Sequence, residues 1–211
     1  MRPKPYTGVE ELQQEFILRR PPIQQRIAEF ADVQTGEYFY ELVYCLLTPQ
    51  SSAVNAGKVV EKLRARRFFE RELEPAKFLF QKDSYIRFHN TKGRHLKEAK
   101  HRFPEILTVL CDGGSSTELR AWLVKNVKGL GWKEASHFLR NIGHRDLAIL
   151  DRHILKNLKK HNVIRSLPQS LTQKRYLTIE QKFAVFSNSV GIAMDELDLL
   201  FWSRETGEIL K

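Results

Sequence analysis

Apolar residues recur at helical spacing in one segment of this chain after another, and no pair of alternating runs is joined by a hairpin turn. That periodicity excludes a sheet-built core. Residues 37–47 place Phe39, Leu42, Val43 and Leu46 on one face at the i, i+3, i+4, i+7 spacing. Residues 53–63 carry Val54, Val59, Val60 and Leu63 as an apolar stripe, and residues 96–110 carry Phe103, Ile106, Leu107 and Leu110. Pro104 inside the last run is expected to kink or split it. Ser115-x-x-Glu118 and Thr178-x-x-Gln181 read as capping boxes that open further helices, and a last helix over 195–202 presents Leu197, Leu200 and Phe201. The fold class is all-α, with no sheet of consequence.

A chain of 211 residues can bury one sizeable core or two small lobes. It has no run approaching the ~18 apolar residues of a membrane span. Its opening, Met1-Arg2-Pro3-Lys4-Pro5, leads into a charged segment without an apolar signal region. A cytoplasmic location is expected. The 35 Lys and Arg against 25 Asp and Glu leave a formal charge of +10. Such a surface suits a polyanionic partner, although solubility alone also accounts for it. Cys45 and Cys111 are too few for an iron–sulfur cluster or an all-thiolate zinc site, and the seven histidines form no ligand pair of the HExxH kind. No structural transition metal is expected, and both cysteines read as reduced core thiols.

The most informative stretch runs from Leu123 to Leu158. Two amphipathic helices flank Gly129-Leu130-Gly131, with Leu130 directed between them. Glycine at 129 and 131 serves a positive φ and a close approach of backbone to a partner. The second helix begins near Trp132, so its unpaired N–H groups and positive dipole end form a seat for a phosphate that reads no base sequence. Lys133 lies in that first turn, where the dipole disfavours an ammonium and so favours the free amine a nucleophile must be. The plainer alternative is a solvated lysine touching phosphate. Asp151, ahead of Ile154, Leu155 and Leu158, reads as an N-cap. A carboxylate fixed in that way also suits stabilisation of a developing oxocarbenium charge.

The run Gly129-Leu130-Gly131-Trp132-Lys133-Glu134-Ala135-Ser136, with Asp151 eighteen residues after Lys133, resembles the helix–hairpin–helix plus Gly/Pro-Asp superfamily of DNA glycosylases. In that family a lysine at the end of the hairpin marks bifunctional members that also cleave abasic sites. The Gly/Pro-rich loop ahead of the aspartate is here reduced to Gly143 and its neighbours. Leu46-Leu47-Thr48-Pro49-Gln50-Ser51-Ser52-Ala53 resembles the family's loop whose polar residue, here Gln50, fills the gap left by a flipped base. Without a C-terminal cysteine cluster the iron–sulfur branch does not fit. The tail from Asp195 to Lys211 resembles the compact 8-oxoguanine glycosylases typical of archaea. In that branch Phe88, Trp202 and the C-terminal Lys211 would line the base pocket, stacking being worth roughly 1–3 kcal/mol per base. Core packing is the plainer explanation of the two aromatics, and fraying that of Lys211.

The resemblance implies excision of 8-oxoguanine from duplex DNA by Lys133, with Asp151 stabilising positive charge, followed by β-elimination from a Schiff base. It implies a lobe over 36–144 ending in the hairpin motif (about 118–143), and a second lobe formed by 1–35 with 145–211. A monomer is expected, without redox cofactor or catalytic metal; a monovalent cation bridging hairpin carbonyls to phosphate is a family trait. The rival readings are a relative acting on another damaged base and a non-catalytic DNA-binding module.

Overall fold

The computed structural model describes residues 5–209. Ten α-helices and two short 3-10 turns make up its regular structure, with no strand among the described residues. They are α1 (Val9–Ala31), α2 (Tyr38–Leu47), α3 (Ala53–Ala65), α4 (Ala76–Leu79), α5 (His89–Cys111), α6 (Ser116–Asn126), α7 (Trp132–Asn141), α8 (Arg152–Lys160), α9 (Gln173–Val190) and α10 (Met194–Thr206). The chain divides into two compact units, residues 33–142 and residues 5–32 with 143–209.

In the 33–142 unit α2 is the central element, and every residue from Phe39 to Leu47 is buried. A helix apolar all round has no solvent face and must be enclosed by its neighbours; α3, α5 and α7 enclose it. Phe39 meets the rings of Phe68, Phe69 and Phe103 at centroid distances of 4.7–5.9 Å. Glu41 is the charged exception in α2, and its Oε2 accepts from Asn141 Nδ2 of α7 at 3.0 Å. The inward stripe of α5 is Lys92, Leu96, Ala99, Phe103, Ile106 and Leu110. Pro104 does not split this helix into two elements. It is exposed, so the Lys100 carbonyl deprived of its N–H partner lies on the solvent side.

In the other unit α1 packs on α10, and α10 on α8 and α9. Pro21 and Pro22 fall inside α1 on its exposed face, where the freed carbonyls of Ile17 and Leu18 can take water. The chain start is tied down as well. Thr7 Oγ1 donates to the Lys160 carbonyl at 2.8 Å, and Tyr6 packs edge-on against Phe186 at 4.9 Å. Two further expectations are corrected. Thr178 does not cap a helix: α9 starts earlier, at an N-cap Thr172 that accepts from Arg175 N–H, and the Thr178 hydroxyl donates back to the Lys174 carbonyl at 2.8 Å. Of the two thiols only Cys45 is in the core; Cys111, the last residue of α5, is exposed.

The hairpin joins α6 to α7. Ser115 and Glu118 form the reciprocal capping box at the start of α6. At its end Val127 N–H closes onto the Leu123 carbonyl at 2.8 Å, Leu130 N–H returns to the Val127 carbonyl at 3.2 Å, and the Leu130 side chain is buried. The two glycines then differ. Gly129 has φ +93°, and a Cβ there would lie 2.6 Å from His95 Nδ1 and 3.0 Å from Leu46 Cδ2. Gly131 has the extended backbone of an N-cap, and a Cβ would meet only the Glu134 carboxylate, the end of a flexible side chain, at 2.9 Å. The fold therefore requires glycine at 129 and tolerates alanine at 131. Chemical unfolding is expected to show Gly129→Ala losing about 2–4 kcal/mol through left-handed strain plus overpacking. Gly131→Ala should lose no more than about 1 kcal/mol, the usual cost of alanine at an N-cap.

Candidate functional site

Lys133 is the second residue of α7, and no side chain caps the N–H groups of that turn through Gly131. The turn is held from α6 by Arg120. This buried guanidinium lies 4.9 Å from the centre of the Trp132 ring and donates to Ser136 Oγ at 3.1 Å. Glu134 supplies what the dipole argument omitted. Its Oε1 pairs with Lys133 Nζ at 3.0 Å, and its Oε2 lies beside Gly131. The carboxylate thus sits at the electropositive N-terminal end of α7. The Lys133 side chain remains about one-third exposed.

Asp151 belongs to the other unit and is the N-cap of α8. Its Oδ1 accepts from His153 N–H and Ile154 N–H, each at 2.8 Å, and its Oδ2 accepts from Trp202 Nε1 at 2.8 Å. Trp202, expected only as a stacking surface, therefore grips the carboxylate with its one polar atom. Its ring meets the His153 ring edge-on at 5.7 Å.

The segment that delivers Asp151 is secured along its length. Gly143 takes φ +94°, and a Cβ there would stand 3.2 Å from the Ala31 Cα. Asp195 Oδ2 accepts from Arg145 Nε at 2.9 Å and from Asp146 N–H at 3.3 Å. Burial raises the Asp195 pKa, and the Arg145 charge acts against that rise. Glu180 Oε2 takes Ala148 N–H at 2.9 Å, and the Tyr176 hydroxyl receives Leu150 N–H at 3.3 Å while donating to the Ala148 carbonyl. Asp146, Ala148 and Leu150 thus find partners for their backbone N–H groups without forming a helix or strand.

Gln50 and Phe88 sit on two loops of the 33–142 unit, both with left-handed backbones, φ +54° and +60°. Gln50 is exposed, and Phe88, the N-cap of α5, is 49% exposed with the Arg87 guanidinium 4.9 Å from its ring centre. Core packing, the plain explanation of Phe88, is thereby removed. The loops touch through Ser51 Oγ, which accepts from Arg87 N–H at 3.0 Å. Lys211 lies outside the described residues.

Sequence reasoning missed Lys92, a buried amine beneath these loops whose pKa burial lowers to about 8. The neighbouring Lys133 charge acts in the same sense, and Glu134 opposes both. The signal was available, because Lys92 falls on the same stripe as Leu96, Ala99 and Phe103. Among the described residues no group of three or more His, Cys, Asp or Glu could hold a metal, and no helix is long and apolar enough to cross a membrane.

Residues 23–192 match the family model described as 8-oxoguanine DNA glycosylase. The 8-oxoguanine DNA glycosylase/AP lyase of Fusobacterium nucleatum is 40% identical over 199 residues, covering 89% of this chain and 90% of that protein. The crystal structure of the Methanocaldococcus jannaschii 8-oxoguanine DNA glycosylase superposes with a TM-score of 0.85 at 32% identity, over 96% of this chain and 95% of that one. The M. jannaschii glycosylase/lyase in complex with a 15mer DNA containing 8-oxoguanine superposes with a TM-score of 0.84 at 31% identity, over 95% of this chain and 100% of that one. Fold, hairpin and relatives agree, and the chain belongs to the 8-oxoguanine DNA glycosylase family.

Proposed function

We propose that this chain is a bifunctional DNA glycosylase and abasic-site lyase that removes 8-oxoguanine from duplex DNA, with Lys133 as nucleophile and Asp151 as the stabilising carboxylate. The observation that carries the reading is the bond from Trp202 Nε1 to Asp151 Oδ2. It joins a ring suited to stacking on a flipped base to a carboxylate suited to the sugar from which that base departs.

The first unit's contribution is capture. Phosphate oxygens meet the N–H groups of Gly131 and the first turn of α7, displacing the Glu134 carboxylate from that end. Gly129 sets the turn. The target nucleotide leaves the stack, Gln50 occupies the vacancy, and Phe88 and Trp202 offer faces to the base.

As the glycosidic bond lengthens, positive charge grows on the sugar, and the Asp151 carboxylate stabilises it. The Lys133 amine bonds to C1′ while the C1′–N9 bond breaks, its electron pair leaving with the purine, which takes up a proton. Opening of the sugar gives a Schiff base between Nζ and C1′. Loss of a C2′ proton then expels the 3′ phosphate by β-elimination, and water releases the lysine. No step uses a redox group or a divalent metal. A monovalent cation at the hairpin would be held by backbone carbonyl oxygens of the turn between α6 and α7. Such oxygens are donors of the kind an alkali cation takes, and no step runs through it. The enzyme is read as a cytoplasmic monomer whose partner is double-stranded DNA containing oxidised guanine.

Borohydride reduction tests the reading. A duplex carrying one 8-oxoguanine should yield a covalent adduct with the native chain and none with Lys133→Gln. Trapping on other lesions but not on 8-oxoguanine would overturn the substrate. A trap of equal yield with Lys133→Gln would overturn the nucleophile. The Trp202 bond makes a separate prediction. Trp202→Phe keeps a stacking face but removes a donor to a charged acceptor, worth about 1.5–3 kcal/mol. Single-turnover excision should therefore slow by roughly 10- to 100-fold with little change in duplex affinity. An effect confined to affinity would make Trp202 a stacking surface only.

A further inference from the structure

We propose that Lys92 is a positioning residue, a buried clamp that holds the loop bearing Gln50, and through it Phe88, in the shape that enters the duplex. Its role rests on the reading above, since the work assigned to those two residues is gap filling and base stacking.

The geometry is that of an ammonium with each of its three donors committed. Lys92 is 6% exposed. Its Nζ donates to the Leu47 carbonyl at 2.6 Å, the Pro49 carbonyl at 2.7 Å and Ser51 Oγ at 3.1 Å. Leu47 is the last residue of α2, so the charge also sits at the negative end of that helix. From Ser51 the connection continues outward. Ser51 Oγ accepts Arg87 N–H, Ser51 N–H returns to the Thr48 carbonyl at 3.0 Å, and Asn55 Nδ2 donates to the Tyr85 carbonyl at 3.1 Å.

Two non-glycine residues on this frame, Gln50 and Phe88, hold positive φ, a conformation that persists only where the surroundings over-determine it. Both are exposed, so burial of their own side chains does not impose it. The polar contacts beneath them are what remains, and Lys92 contributes three. An amine so enclosed is unsuited to attack on a sugar, which separates its task from that of Lys133.

The test uses the full chain with Lys92→Met, which keeps an unbranched apolar stem, and Ser51→Ala, which removes one hydroxyl from a half-buried site. Amide exchange of residues 48, 50–52 and 87–88 should accelerate about tenfold or more in both, with α2 and α5 unchanged. Excision from an 8-oxoguanine duplex should fall roughly 10- to 100-fold, while nicking of a preformed abasic duplex, which has no base to flip, should fall less than about threefold. Should Lys92→Met fail to fold, Ser51→Ala decides alone. Unchanged exchange in the loop, or equal loss of excision and nicking, would overturn the clamp. Failure of the native chain on the 8-oxoguanine duplex would instead overturn the proposed substrate, and the exchange measurement would still decide the clamp.

Discussion

The turn at Gly129 is the constraint on which the candidate chemistry depends. A left-handed residue lying against His95 and Leu46 leaves no room for a Cβ, and the direction it gives the chain determines where α7 begins. Lys133 then occupies the second position of that helix, and Arg120 fixes the same turn from α6 through Trp132 and Ser136. A lysine one turn further along would face neither the open N–H groups nor Glu134. In the proposed mechanism, position on the helix, rather than lysine itself, couples phosphate capture to attack on the neighbouring sugar.

Helix ends serve in two different ways. At α8 the Asp151 carboxylate is permanently engaged, with two backbone donors on one oxygen and an indole donor on the other. Fixed in this manner it can answer a developing positive charge without reorganising. At α7 the carboxylate present is Glu134, paired with Lys133 and mounted on a flexible stem. It lies beside Gly131, and no side chain caps the N–H groups of that turn. The aspartate meets three fixed donors, whereas the glutamate pairs only with the flexible ammonium of Lys133.

Much of this was legible in the residues. The helical period gave the all-α class, and Ser115-x-x-Glu118 gave a true capping box because its glutamate reaches back to the N-cap N–H. Thr178-x-x-Gln181 has the same pattern and failed, because α9 had already begun at Thr172. Local pattern cannot tell a first turn from a second when the upstream residues also favour helix. Lys92 was legible in principle, as a charge on an apolar stripe, and Pro104 as a proline on the opposite, solvent face. The Trp202 bond to Asp151 was not. It spans 51 residues and arises from the packing of α10 on α8, which no short window contains. The same holds for Tyr176, Glu180 and Asp195, which secure the segment leading to Asp151.

Two lysines stand in contention as the nucleophile. Lys92 has the lowered pKa, about 8, yet its nitrogen is buried and committed to three oxygens. Lys133 is about one-third exposed, stands in the first turn of α7 and pairs with the single carboxylate of Glu134. Access and geometry therefore outweigh the lowered pKa. The most direct measurement is proteolytic mapping, by mass spectrometry, of the adduct reduced on an 8-oxoguanine duplex. The account predicts a single modified lysine, Lys133, with Lys92 unmodified. Sugar remnant on Lys92, or on any lysine other than Lys133, would contradict it.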